Sequence, residues 1–243
     1  MSSSQKGETI EDTIQTMSCY CDCIVIRHPM KGSAALAASV ASKPVINAGD
    51  GTGEHPTQAL LDIYTIKAEL GYLGLNPKAQ NPGPTTITLL GDLKNGRTVH
   101  SLVKLLAYYS GIRLVYVSPP QLTIPEEIVA ELRTSAPAME QLFVSDLVEA
   151  VKMSDVLYVT RIQKERFSSV EEYNEVAGSY VINKEVMKDA KAKMIVLHPL
   201  PRNAEISVDF DDDPRAAYFR QMENGMFMRM AILDLMIKSR DLL

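Results

Sequence analysis

Thr85-Thr-Ile-Thr-Leu-Leu-Gly-Asp-Leu-Lys-Asn-Gly-Arg-Thr-Val-His-Ser-Leu-Val-Lys-Leu-Leu106 opens on a β-rich apolar run and breaks into a polar turn after Leu90. From about Arg97 it continues as a helix, with Val99, Leu102, Val103 and Leu106 on one face. Residues 112–117 follow as a second strand, ended by Ser118-Pro-Pro120. The alternation runs on. A helix starts near Pro125 with Ile128, Val129 and Leu132 on one side, a short strand covers 141–144, a short helix 147–153, and further strands 155–160 and 194–197. This pattern predicts an α/β fold, a mainly parallel sheet covered by helices on both faces. In such sheets ligands sit beyond the carboxyl ends of the strands. The informative polar residues fall at those ends: Asp92 to Arg97 after one strand, Arg161-Ile-Gln163 after another, and His198-Pro-Leu-Pro-Arg202 after a third.

Upstream, Asn47-Ala-Gly-Asp-Gly-Thr-Gly-Glu-His-Pro-Thr-Gln58 places three glycines before a proline-started helix. Two readings are open. The glycine amides approach a small anion closely, or the loop is structural and His55 is a hydrogen-bond donor at the helix start. The helix carries Ala59, Ile63, Ile66 and Leu70, with Gly71 as its cap, and Leu60 and Tyr64 widen its apolar face as expected for a helix buried between two lobes. The first 72 residues offer only two short strands, 23–27 and 44–46, too few for a stable sheet, so this lobe reads as incomplete. Residues 75–84, with Pro77, Pro82 and Pro84, read as a linker. Residues 218–243 read as a long closing helix whose Met226, Phe227, Met230, Leu233 and Ile237 face is expected in the core.

The 243 residues include 25 Lys and Arg against 30 Asp and Glu, a net charge of -5. That leaves no electrostatic footprint for nucleic acid or an anionic membrane, and any cationic site must be local. A hydrophobic content of 46% supplies a core for one large or two modest domains. The polar start lacks an apolar signal core and no segment approaches a membrane span, which points to a cytoplasmic protein. Cys19, Cys21 and Cys23 straddle a helix-to-strand turn, since Ile10, Ile14, Met17 and Cys21 keep helical spacing. The odd count argues against a disulfide framework, and buried, unreactive thiols are expected.

His55-Pro-Thr-Gln58, Gly91-Asp-Leu-Lys-Asn-Gly-Arg-Thr-Val-His-Ser101, Thr160-Arg-Ile-Gln-Lys-Glu-Arg166 and His198-Pro-Leu-Pro-Arg202, together with Arg27-His-Pro29 and Asp213-Pro-Arg-Ala-Ala-Tyr-Phe-Arg-Gln221, resemble the aspartate carbamoyltransferase family over nearly the whole chain. The wording is closest to the domain inside the large pyrimidine-synthesis polypeptide of animals and fungi. The ornithine-directed sister family typically has His-Cys-Leu-Pro at residues 198–201 and a Ser-Met-Gly segment not found here, and two arginines suit a dicarboxylate better than a cationic acceptor. The resemblance implies a carbamoyltransferase fold of two lobes with parallel sheets flanked by helices, the first lobe truncated. Residues 1–72 would be part of the carbamoyl-phosphate domain, completed by helix 218–243, and 85–217 the aspartate domain. The implied reaction is attack of the L-aspartate amine on carbamoyl phosphate, giving N-carbamoyl-L-aspartate and phosphate in de novo pyrimidine synthesis.

By the same resemblance, Arg27 and His55 polarise the carbamoyl oxygen, while Gln58 and the main chain near Pro199 and Leu200 hold the carbamoyl amide. Arg97 and Arg161, with Gln163, grip the carboxylates of aspartate. Ser2 and Lys6 match a loop that reaches into a neighbouring subunit's site to meet carbamoyl phosphate, Lys6 also meeting aspartate. A homotrimer with shared sites, possibly fused to other pathway enzymes, follows; on sequence alone a flexible polar tail reads Ser2 and Lys6 equally well. No metal, cofactor or protein base is implied, the leaving phosphate taking the amine proton, and His28, His100 and His198 are taken as structural. The family's Ser-Thr-Arg-Thr phosphate turn has no copy here. The chain is therefore expected to begin midway through the first lobe, to leave a sheet edge unpaired and apolar surface exposed, and to be inactive or nearly so by itself. The alternative is an inactive fragment or paralogue serving as an assembly or anion-binding module. Asn203-Ala204 and the proline-rich 75–84 stretch are smaller departures from the family pattern.

Overall fold

The structure is a computed structural model that describes residues 7–75, 83–164 and 167–239. The Thr9 hydroxyl caps α1 (Ile10–Ser18) by accepting the Asp12 N–H at 3.1 Å. After a turn come β1 (Ile24–His28), α2 (Ser33–Val40) and β2 (Val45–Asp50). β1 and β2 pair in parallel, Ile24 opposite Val45, and among the described residues they form a sheet of their own. Val25 on β1 is exposed. Ile14, Ile24 and Ala37 make a small core beneath the pair. Pro56 opens α3 (Pro56–Leu70), and Gly71 at φ 76 ends it in the left-handed conformation glycine adopts without strain.

The second sheet holds β3 (Thr85–Leu90), β4 (Ile112–Val117), β5 (Glu140–Phe143), β6 (Val156–Val159) and β7 (Ile195–Leu197). Their spatial order is β5-β4-β3-β6-β7, every neighbouring pair parallel. The order reverses between β3 and β6, which makes a crevice at the carboxyl ends of those two strands. Strand residues alternate between two cores. Ile87, Leu89, Leu114 and Tyr158 pack with α3, α4 (Arg97–Leu106) and α5 (Glu126–Ser135). Leu90, Val115, Leu157 and Val159 pack on the other face with α6 (Leu147–Met153). The Asp146 carboxylate starts α6 by accepting the Val148 and Glu149 N–H groups at 2.7 and 3.2 Å, and Ser169 caps α7 (Val170–Val176). The chain closes with α8 (Tyr218–Ser239).

Three expectations are corrected. α3 does lie between α4 and α8, but Leu60 and Tyr64 face outward, because the packed face is Ala59, Leu61, Ile63 and Ile66. On α8 it is Tyr218 and Gln221 that are buried, so the Met226, Phe227, Met230, Leu233 and Ile237 face is exposed rather than core. Cys19 is exposed and Cys21 and Cys23 are half-buried, since Ile14 and Ile24 fill the small core and leave the α1–β1 turn at the surface. Most of the expected linker, residues 76–82, lies outside the described residues.

Candidate active site

β3, β6 and β7 are neighbours in the sheet, so the three polar strand ends meet. They close one side of a cavity of about 360 Å³, and β1 with the start of α3 closes the other. Arg27 of β1, His55 and Gln58 at the head of α3, Arg97 at the head of α4, Arg161 and Gln163 after β6, and Leu200 after β7 all line it. Seven of the nine sequence-derived candidates are thus brought together; Ser2 and Lys6 lie outside the described residues. Larger hollows of about 550, 620 and 930 Å³ exist elsewhere; the two largest have no arginine in their lining, and the third has Arg215 alone, with Glu69 in the same lining.

Among the described residues, three guanidinium groups and no carboxylate line this cavity, in a chain whose net charge is -5. The field acts on His55. Burial first, then the charges of Arg97, Arg27 and Arg229, pull its imidazole from 6.5 down to about 4, so the ring is neutral at physiological pH. Its backbone N–H donates to Ser101 Oγ at 2.8 Å. Its Nδ1 is buried without a hydrogen-bond partner among the described residues, an exception for a native interior.

The glycine turn does not cradle an anion. Gly49 N–H donates to Asn47 Oδ1 at 2.7 Å, Gly51 N–H to the His28 carbonyl at 2.8 Å, and Gly53 N–H to the Asp50 carbonyl at 2.8 Å. Asp50 organises the loop, accepting the Gly32 N–H at 2.8 Å and the Glu54 N–H at 2.6 Å. These amides are committed internally, so any anion in the cavity meets side chains. The glycines instead permit close approach. At Gly49, φ 118, a Cβ would stand 3.0 Å from the Arg97 guanidinium carbon, and Arg97 reaches over to the Gly51 carbonyl at 2.9 Å.

The cavity joins two segments that match separate parts of one family. Residues 84–236 match the model described as Aspartate/ornithine carbamoyltransferase, Asp/Orn binding domain, and residues 1–68 match its carbamoyl-P binding domain. The chain belongs to the aspartate/ornithine carbamoyltransferase family. Among carbamoyltransferase relatives, it is 54% identical over 235 residues to the multifunctional protein pyr1-3 of Dictyostelium discoideum, covering 96% of this chain and 10% of that protein. To the aspartate carbamoyltransferase catalytic subunit of Thermococcus kodakarensis it is 52% identical, covering 95% of this chain and 71% of the other. A crystal structure of aspartate transcarbamoylase from Trypanosoma cruzi, in complex with carbamoyl phosphate and aspartate, superposes with a TM-score of 0.84 at 46% identity, covering 96% of this chain and 70% of that one.

In this chain the cavity also includes Asn95, Thr98, Thr160 and His198, which the sequence reading did not select as site residues. His198 shapes the turn after β7. Its Nδ1 accepts the Leu200 N–H at 2.8 Å, so Nε2 carries the hydrogen and donates to Glu205 Oε1 at 3.0 Å. Burial would raise the Glu205 carboxyl, but the His198 and Asn203 N–H bonds hold it below its usual range. Leu200 is held at φ 51, a conformation that costs a non-glycine residue about 1–2 kcal/mol. Gln58 is supported from beneath by Asp62, one helical turn on, with Nε2 donating to Oδ1 at 2.8 Å. That i, i+4 pair was the available signal. Among the described residues no helix is long and apolar enough to cross a membrane.

Proposed function

We propose, against the expectation that it is inactive by itself, that this chain transfers the carbamoyl group of carbamoyl phosphate to the amine of L-aspartate, giving N-carbamoyl-L-aspartate and phosphate in de novo pyrimidine synthesis. The observation that carries the proposal is the cavity lined, among the described residues, by three arginines and no carboxylate, at the meeting of the two family-matched segments. Relatives named for this activity support aspartate over ornithine as the acceptor. Both substrates are anions, so catalysis is chiefly positioning and charge stabilisation.

In this reading Arg27 and neutral His55 stabilise the oxyanion that develops when the amine attacks the carbamoyl carbon. Neutrality matters because a neutral imidazole still offers one N–H donor while sitting among arginines at no charge cost. Gln58 accepts from the carbamoyl NH₂, as do main-chain carbonyls at the Pro199–Leu200 turn. Arg161 and Arg97 fork onto the two carboxylates of aspartate, with Gln163 assisting. The new C–N bond forms, the C–O bond to phosphate breaks, and phosphate carries off the amine proton. The proposal extends to a carbamoyl-phosphate lobe at residues 1–72 completed by α8, an aspartate lobe at 85–217, a homotrimer in which Ser2 and Lys6 serve a neighbouring site, and a cytoplasmic setting that suits three free thiols. The test is N-carbamoyl-aspartate formation by the purified protein, with Arg161→Ala as control and ornithine as competing acceptor. Turnover with ornithine but not aspartate, or turnover indifferent to Arg161, would overturn the reading.

A further inference from the structure

We propose that Asp62 is a positioning residue that fixes the Gln58 side-chain amide with its carbonyl oxygen left for the cavity, the orientation needed to accept from a carbamoyl NH₂. The role rests on the function proposed above. The orientation of a glutamine amide is ordinarily ambiguous, but here a chain of hydrogen bonds determines it. The His198 backbone N–H can only donate, and it donates to Gln221 Oε1 at 2.9 Å. The other end of Gln221 is therefore its NH₂, which lies 2.6 Å from Asp62 Oδ1. An NH₂ can only donate, so Oδ1 accepts from it, and in the ionised carboxylate, whose Oδ2 takes the Tyr158 hydroxyl, Oδ1 has no hydrogen to give. The Gln58 atom 2.8 Å from that same oxygen must then be a donor, Nε2, and Oε1 is the end that remains for the cavity Gln58 lines. A flipped Gln58 would set carbonyl oxygen against carboxylate oxygen.

Asp62, Tyr158 and Gln221 are fully buried and Gln58 nearly so, leaving no bulk water to exchange for these bonds. Asp62 Oδ2 accepts from the Tyr158 hydroxyl at 2.8 Å, which is itself hydrogen-bonded by Thr98, the neighbour of Arg97. One carboxylate thus supports Gln58, the segment carrying Arg97, and, through Gln221, the backbone of His198 two residues before Leu200.

The experiment is a double-mutant cycle on kcat/KM for carbamoyl phosphate, using Asp62→Leu, Gln58→Ala and their combination, with Asp62→Asn as the conservative variant. Asparagine keeps an oxygen for both glutamines and an NH₂ for the Tyr158 oxygen, so it retains most of the activity. Asp62→Leu loses roughly tenfold or more, and most of that loss disappears in the Gln58→Ala background. Additive losses in an active enzyme, or Asp62→Asn as damaging as Asp62→Leu, overturn the role alone. Absence of product with the unsubstituted protein overturns the enzyme reading and this role with it. Should Asp62→Leu fail to fold, NMR of the unsubstituted protein still decides. The Gln58 side-chain NH₂ signals, identified by their loss in Gln58→Glu, are expected to be exchange-protected, and rapid exchange with solvent refutes the proposal.

Discussion

His55 offers the most direct check on the electrostatics of the cavity. Its imidazole lies at about 4 in the folded protein against 6.5 for an ordinary histidine. Between those two values the unfolded chain binds a proton that the folded one rejects. Stability attributable to His55 is therefore complete above 6.5 and is lost as pH falls toward 4. At about 1.4 kcal/mol per pH unit, the gap sets a ceiling of about 3 kcal/mol. Other groups titrate in the same window. His100 is lowered by burial and acts in the same direction, whereas Asp62 is raised by burial and opposes it. The useful quantity is thus the difference between the unsubstituted protein and His55→Gln, which cannot titrate. Urea midpoints from pH 4.5 to 7.5 should show the unsubstituted protein losing ground to the variant as pH falls. With only four histidines in the chain, proton NMR of the imidazole rings can follow each directly. Inorganic phosphate should raise the His55 midpoint, because a bound dianion offsets the fields of Arg27, Arg97 and Arg229. A His55 midpoint at or above 6.5 without ligand would refute the reasoning, and a depressed midpoint indifferent to phosphate would refute the cavity as an anion site.

Arg161→Ala and Arg97→Lys are each expected to raise the KM for aspartate roughly tenfold to a hundredfold, the worth of a charged, forked hydrogen bond; steady-state kinetics with an unchanged KM would remove that arginine from the acceptor subsite. Gly51→Ala should lower stability by about 2 kcal/mol or more, since its φ is 59 and a Cβ would stand 2.1 Å from the Pro29 carbonyl oxygen. An unchanged melting temperature would contradict the loop as described. With a thiol reagent, exposed Cys19 should react ahead of Cys23, whose thiol burial pushes up, and the reverse order on peptide mapping would contradict the turn. Burial raises the Asp62 carboxyl to about 7, so the folded state holds a proton the unfolded one releases between 3.8 and 7. The unsubstituted protein should accordingly lose stability relative to Asp62→Asn as pH rises through that window, and a gain would mean the donors around Asp62 outweigh its burial.

What was legible in the sequence divides along physical lines. The strand–helix alternation after Thr85 was readable because β3, β4, β6 and β7 bury both faces and leave short apolar runs, while α4 and α5 bury one and leave a periodic trace. The polar strand ends were readable because parallel sheets place ligands there, and the order β5-β4-β3-β6-β7 makes those ends neighbours. The glycine turn was misread because glycine reveals what the backbone is allowed to do, not where its amides go; Asp50, between Gly49 and Gly51, was the better clue. The exposed face of α8 was misread for a related reason. A run such as Met226, Phe227 and Met230 says that a face is apolar but is silent on what covers it. Of the support beneath Gln58, Asp62 was within reach as the residue one helical turn on, whereas Tyr158 and Gln221, 96 and 159 positions from Asp62, were not.

A buried carboxylate needs a reason to persist. Taking a charge out of water is costly even when it is hydrogen-bonded, and apolar replacements of similar volume are often neutral or stabilising. Leucine at position 62 would match the neighbouring core residues Leu61, Ile63 and Ile66. It could not, however, distinguish the two ends of a glutamine amide. Gln58 reads a substrate only if its carbonyl and NH₂ are not interchanged, and the one fixed point available is the His198 backbone N–H, relayed through Gln221 and Asp62. The same relay crosses from α3 to α8 and, through Tyr158, to β6. A shift of α3 relative to the second sheet would therefore strain the relay and turn the Gln58 amide together with it. Orientation at the cavity is in this sense a property of how the two sheets are docked, which explains why the network sits where α3, α8 and β6 meet rather than at the surface.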